Sequence, residues 1–258
     1  MTTTHPSPAV HAHRRTHRPA GPLTKIVRLH FADPMRLLGV PLVILATTTA
    51  VCVVIMLLIQ SFVPGDPTEI SEGFRYNQAT LWCFGGYFVS VGVMAYSRTM
   101  PFAMGMGATR RQYWTGTAVA VVLEALYIGA AMTIFLALEK ATGHWFTGTH
   151  MFDVYVMGNG SYRDIFLMGF GISMLMLFVG TMFASVFIRW NTRGVLLVVA
   201  GIVATVLLLA WAFLTLGVNV LGFFASDVVA KIALIMAVLG AISAAGSWLV
   251  LRRAPIGR

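Results

Sequence analysis

Charge is scarce in this chain, and lysine is scarcer still. Acidic residues number 9 and Lys plus Arg 18 in 258 residues. That is 10% charged, against the roughly 25% usual in soluble domains, while 58% of the residues are hydrophobic and mean hydropathy is +0.81. Such a composition excludes an ordinary soluble domain and specifies a membrane protein. The three lysines, Lys25, Lys140 and Lys231, never follow a glycine, so the phosphate-cradling G-x-x-x-x-G-K-[ST] loop is missing and the chain cannot hold ATP in that manner. Zinc-type Cys/His spacing, a His-Glu-x-x-His helix and a G-x-S-x-G serine elbow are missing as well. No catalytic residue, no metal and no cofactor of the chain's own is therefore expected, and the chain is not expected to be an enzyme.

Cysteine is limited to Cys52 and Cys83, both inside apolar runs, where they read as small buried hydrophobes and not as a disulfide. Mid-membrane acids are almost lacking too. An embedded enzyme or proton-driven carrier keeps several ionisable groups at that depth because each costs a few kcal/mol. Here only Glu124, in "VVLEALYIGA", stands there clearly. Lining a substrate path, taking a proton, or pairing with a hydroxyl or a partner subunit are the roles open to it.

What is abundant is long apolar sequence. A span needs about 20 helical residues, and six runs meet that length: 37 to 62, 79 to 97, 113 to 138, 165 to 188, 194 to 216 and 228 to 251. Their continuous apolarity excludes a β-barrel, whose strands alternate. The first run lacks a small-residue cleavage site and is expected to remain as a span. The fold class is all-α, a polytopic membrane protein of six transmembrane helices in the segment 37 to 251. With the N-terminus inside, 14 of the 18 cations face one side, leaving Arg75, Lys140, Arg163 and Lys231 on the other. The positive-inside bias then puts both termini in the cytoplasm, and the +9 net charge reflects orientation, with no nucleic acid as partner.

Residues 1 to 22 carry His5, His11, His13 and His17 among Pro, Thr and Arg without a hydrophobic period, which reads as a disordered cytoplasmic tail or, less simply, a metal-binding one. Residues 23 to 36 interleave Ile26, Val27, Leu29 and Phe31 with Lys25, Arg28 and His30, the pattern of an interfacial amphipathic helix facing membrane lipid or of a plain basic flank. Residues 252 to 258 form a cytoplasmic tail. The loop from Ala141 to Tyr162 is aromatic and glycine-rich, and reads as folding back on the membrane surface or as a simple turn. The link between the last two runs either dips into the outer leaflet or forms a plain turn. Small residues such as Gly85, Gly86, Gly92, Gly169, Gly171, Gly240 and Ala244 let helices approach closely. Met168, Phe170, Met174 and Met176 suit an apolar lumen or lipid contact equally.

One cytoplasmic stretch breaks the pattern: "TMPFAMGMGATRRQYW", Thr99 to Trp114. Thr99 is placed to cap a short helix that tolerates Pro101 in its first turn, with Phe102 and Met106 on one face beside Met104, and Gly105 or Gly107 to end it. Thr109 and Gln112 then form a capping-box pattern that opens the third span, with Arg110 and Arg111 exposed and Tyr113 and Trp114 at the interface. A soft Met- and Phe-bearing knob is the chemistry of a docking segment.

These residues resemble the cytoplasmic loop of ABC exporter permeases of the ABC-type-two (type V exporter) class. In that class a proline-led short helix precedes a Gly-x-small-Arg-(Arg/Lys)-x-(Tyr/Phe) signature, matched here by Gly107, Thr109, Arg110, Arg111 and Tyr113. Six spans, internal termini and the basic stretch with "ADP" before the first span are similar too. The resemblance implies a permease in the cell inner (plasma) membrane, two such chains (identical or paralogous) around one pathway, and an ABC ATPase subunit dimer that carries ATP and Mg. It implies that Thr99 to Tyr113 couples ATP hydrolysis to export of a hydrophobic or amphipathic substrate. The link between spans five and six is shorter than the hairpin of many such permeases. An accessory or sensory membrane protein without transport activity is the alternative.

Overall fold

The computed structural model describes residues 21–215 and 227–252, and among these it is helical with no strand. Most of the tail at 1 to 22, the link between the last two apolar runs, and residues 253–258 lie outside the described residues. Helix α1 is Pro22–His30. A widened turn at Met35–Gly39 leads into α2, Val40–Phe62. Two short helices follow, α3 at Pro67–Phe74 and α4 at Ala79–Trp82, and then α5 at Gly85–Met94. A second widened turn at Ala95–Thr99 continues α5 into α6, Met100–Gly105. Helix α7 is Arg110–Ala141, α8 Tyr162–Thr215 and α9 Val228–Leu251.

Five described helices are long and apolar enough to cross a membrane, where the sequence predicts six runs. The difference lies in α8. Its 54 residues contain both the fourth and the fifth expected runs, separated only by Asn191, whose backbone (φ 55, ψ -156) leaves the helical region. That conformation is close to glycine-only territory, and it falls between Arg189 and Arg193.

The two widened turns have one cause. Each precedes a proline, Pro41 or Pro101, near the start of the next helical segment. Proline donates no backbone hydrogen bond and crowds the carbonyl four residues earlier, and a locally wider turn relieves both defects. At the entrance to α2, Tyr127 Oη donates to the Leu38 carbonyl at 2.9 Å and Tyr87 Oη to the Arg36 carbonyl, which fixes the start of α2 against α5 and α7.

Close backbone approach holds the centre together. A Cβ at Gly92 would meet the Gly180 Cα and the Thr181 nitrogen of α8 at 3.0 Å. One at Gly129 of α7 would meet the Phe166 carbonyl at 2.9 Å. Without water to drive association, such contact is what packs helices in lipid. Gly169, Gly171 and Gly240 also serve this role, while Gly85 and Gly86 meet nothing within 4 Å. Around these contacts Phe84, Phe88, Ile128, Met132, Leu136 and Met168 form the buried core, with Met174 and Met176 packed against it. Cys52 is buried, Cys83 half-buried, and both are free thiols.

Helix α1 lies against the protein as well as offering a polar face. Ile26 is buried over Gly116 of α7, where a Cβ would collide with its side chain, while Lys25 and Arg28 stay exposed. The 141–162 loop is neither a simple turn nor a surface flap. Met151, Phe152, Val154 and Met157 are fully or almost fully buried, so this loop plugs the end of the bundle.

Candidate functional site

The Thr99–Tyr113 segment is a corner joining α5/α6 to α7, and its geometry follows from its punctuation. Thr99 does not cap: its backbone is helical (φ -75, ψ -35) and its side chain makes no capping bond, because the chain is already helical when it arrives from α5. Pro101 sits in the first turn of α6. Gly107, at φ +88, terminates the helix. Its N–H reaches the Met104 carbonyl at 2.9 Å and the Ala108 N–H the Ala103 carbonyl at 3.1 Å, the paired bonds of a Schellman motif. Gly105 remains the last helical residue.

The next start is locked from both sides. Gln112 N–H donates to Thr109 Oγ1 at 3.2 Å and Thr109 N–H to Gln112 Oε1 at 3.0 Å, so the expected capping box is present. Arg110 is half-buried, not presented outward: its Nη1 donates to the Leu251 carbonyl at 2.9 Å and ties α7 to the end of α9. Arg111 is exposed. Tyr113 departs furthest from the interfacial placement expected of it. It is fully buried, its hydroxyl donates to the Ala95 carbonyl, and its ring lies edge-on to Tyr96 at 5.9 Å. Trp114 donates to Ser247 Oγ at 3.2 Å and to the Ala244 carbonyl at 3.3 Å, which makes it a tie to α9 instead of an interfacial anchor.

The outcome is a stiff base under an apolar knob. Met100, Ala103 and Tyr113 join Ile26, Tyr96, Ala184 and Leu251 in a compact cluster, with Met104 packed against it. Phe102 and Met106 point away, 58% and 63% exposed. Beside them a groove of about 410 Å³ runs between α1 and the corner, lined by Lys25, Ile26, Leu29, Met106, Gly107 and Gln112. His30 borders the cluster 5.7 Å from the Tyr113 ring, and burial holds its imidazole below the usual histidine value of 6.5.

Glu124 is 2% exposed and neither carboxylate oxygen has a protein partner. It lines a cavity of about 30 Å³ together with Gly92, Thr117, Leu177, Thr181 and His30, whose Nε2 is also unpartnered. That volume admits one or two water molecules. In this conformation the cavity has room for water only and is not a passage for a substrate.

Sequence reasoning missed a second polar site, at the opposite end of α7. Glu139 is fully buried and accepts from the backbone N–H groups of Met151, Phe152 and Asp153 at 2.8 to 3.2 Å and from Trp145 Nε1 at 3.3 Å. Next to it His144 Nε2 lies 3.2 Å from Asp153 Oδ2, and the His144 and His150 rings are 4.0 Å apart. The chain reaches this arrangement through Gly143, His144, Trp145 and Phe146, all near φ +60. Three non-glycine residues there cost about 1–2 kcal/mol each, offset by the bonds Glu139 and Asp153 accept. Burial, then His144, keeps the His150 imidazole below its ordinary range. The only advance signal was two histidines in a loop that also carries a buried-type apolar run. Comparison with family models, with curated proteins and with solved structures returned no match.

Proposed function

We propose that this chain is the permease subunit of an ATP-driven ABC exporter, with six transmembrane segments, Asn191 marking the turn between the fourth and fifth, and both termini in the cytoplasm of a plasma-membrane protein. Two permease chains flank one pathway, and an ABC ATPase dimer carrying ATP and Mg docks on the Met100–Thr109 corner. The cargo is hydrophobic or amphipathic. The observation that carries the reading is the corner itself: Phe102 and Met106 are exposed on a base pinned by a Schellman turn, a capping box, the Arg110–Leu251 bond and the buried Tyr113. A knob fixed this firmly to α5, α7 and α9 transmits displacement to them as rigid bodies. The chain has no nucleotide-binding loop, so the work must come from a partner.

The corner divides labour among the residues of the signature. Phe102, Met106 and Arg111 meet the partner, while Pro101, Gly105, Gly107, Thr109, Arg110 and Tyr113 hold the shape, with Met104 between. In proteoliposomes containing the ATPase subunit, Phe102→Glu or Met106→Glu is expected to abolish cargo-stimulated ATP hydrolysis in a chain that still folds. Unchanged stimulation in both variants would sink the assignment. The second reading, an accessory or sensory membrane protein, is favoured by one observation: the cavity beside Glu124 has room for water only. Substrate movement by the reconstituted wild-type chain separates the two.

A further inference from the structure

We propose that His144, His150 and Asp153 form a zinc-binding site at the far end of α7 from the coupling corner, with Glu139 fixing the loop that presents them. The donors already converge. His144 Nε2 is 3.2 Å and His150 Nδ1 3.9 Å from Asp153 Oδ2, and donor atoms of Glu139, His144 and His150 all lie within 4.8 Å of one another. Four donors around zinc, at bonds of about 2.0–2.2 Å, stand roughly 3.3–3.5 Å apart, so the shells differ by rotations of side chains and not by a refolding of the loop.

One orphan atom points to a missing occupant. The His150 side chain is 8% exposed, yet its Nδ1 has no hydrogen-bond partner and lies 4.0 Å from Glu139 Oε1. Asp153 Oδ1 is likewise buried without a hydrogen bond, with Arg75 Nη2 at 3.6 Å as its ion-pair neighbour. Arg75 thus holds one carboxylate oxygen and leaves Oδ2 facing both imidazoles. Buried polar atoms are nearly always satisfied, and an ion between these three side chains satisfies His150 Nδ1 while Arg75 neutralises Oδ1 of Asp153.

Glu139 is a poor ligand despite its proximity. Its oxygens are occupied by three backbone N–H groups and the Trp145 indole. Its work is to brace residues 151–153. Two imidazoles and one carboxylate select a transition metal over magnesium or calcium, which take oxygen donors in larger number. Water completes the fourth position, reached past His144, whose side chain is 31% exposed.

The test uses the full chain in detergent, stripped with a chelator and titrated with Zn²⁺ alone. Because the tail carries its own histidines, His5→Ala, His11→Ala, His13→Ala and His17→Ala are introduced into every protein compared. One Zn²⁺ per chain with a Kd below about 1 µM is expected, weakened by more than about 100-fold in His150→Ala, since losing a ligand exceeds the loss of an outer partner. The near-isosteric Asp153→Asn, which keeps the loop's shape, is expected to weaken binding likewise. Co²⁺ in place of zinc should give the visible bands of a four-coordinate N/O site. Absence of sub-micromolar binding, or tight binding indifferent to both substitutions, would overturn the assignment.

Discussion

At its first turn α7 is fixed by a device four residues long, Thr109 and Gln112 exchanging hydrogen bonds. At its last turn it is fixed by Glu139, whose partners are backbone groups 12 to 14 residues downstream. The first end is apolar beneath its exposed knob, with Tyr113, Met100 and Ala103 buried around Tyr96. The second end is polar inside, with a carboxylate, two histidines and an aspartate gathered under a strained turn. One end is a single packed unit of apolar side chains. The other is built to hold a shape that the backbone would not choose by itself.

The largest expected effect strikes the second end. Glu139→Ala strands three backbone donors and an indole N–H in a buried site, and it should cost about 3 kcal/mol or more. Thermal unfolding in detergent reads the loss, and rapid proteolysis between His144 and Met157 locates it. At the first end, Gly116→Leu drives a side chain into Ile26 and should lift α1 from α7 at a cost of about 1–3 kcal/mol. A protease site placed at Lys25 should then become accessible while the loop at residues 144–157 stays protected. Equal damage to both ends by either variant would erase the contrast drawn between them.

Smaller effects sharpen it. Thr109→Ala removes one cap bond and should cost about 1 kcal/mol, measured by the shift in the unfolding midpoint. The pH response of α1 has a definite sign. Burial puts the docked His30 below 6.5, so the undocked state binds more protons, and docking is fully present above 6.5 and weakens as pH falls below it. Fluorescence of a label at Lys25 followed from pH 8 to pH 5 should report release at the acid end, and His30→Gln should flatten the curve.

The contrast also explains what the sequence disclosed. Local devices were legible: the capping box, the proline-led helix, the glycine stop at Gly107 and the apolar runs all depend on residues a few positions apart. Thr99 was misassigned because its role depends on whether the chain arrives already helical, which the α5–α6 continuation decides. Tyr113 and Trp114 match an interfacial pattern, yet partners on the 95–96 turn and on α9 bury or bind them. The fourth and fifth runs are separate in composition, and the backbone breaks between them at Asn191 alone, with no loop between the two helical stretches. Glu139 carries no signal of its role, since nothing near it in sequence announces three backbone donors from a distant loop.

The exposed knob on α6 is proposed to dock an ATPase subunit that drives this chain. The most direct test of that docking is co-purification from the native host in mild detergent, comparing wild type with Phe102→Glu and Met106→Glu. Both positions are more than half exposed, so stability should change by no more than about 0.5 kcal/mol. A nucleotide-binding subunit should be retained by the wild type and lost from both variants, with their unfolding midpoints unchanged. A wild-type chain that carries no such subunit, or variants that keep it, would rule out docking at this knob.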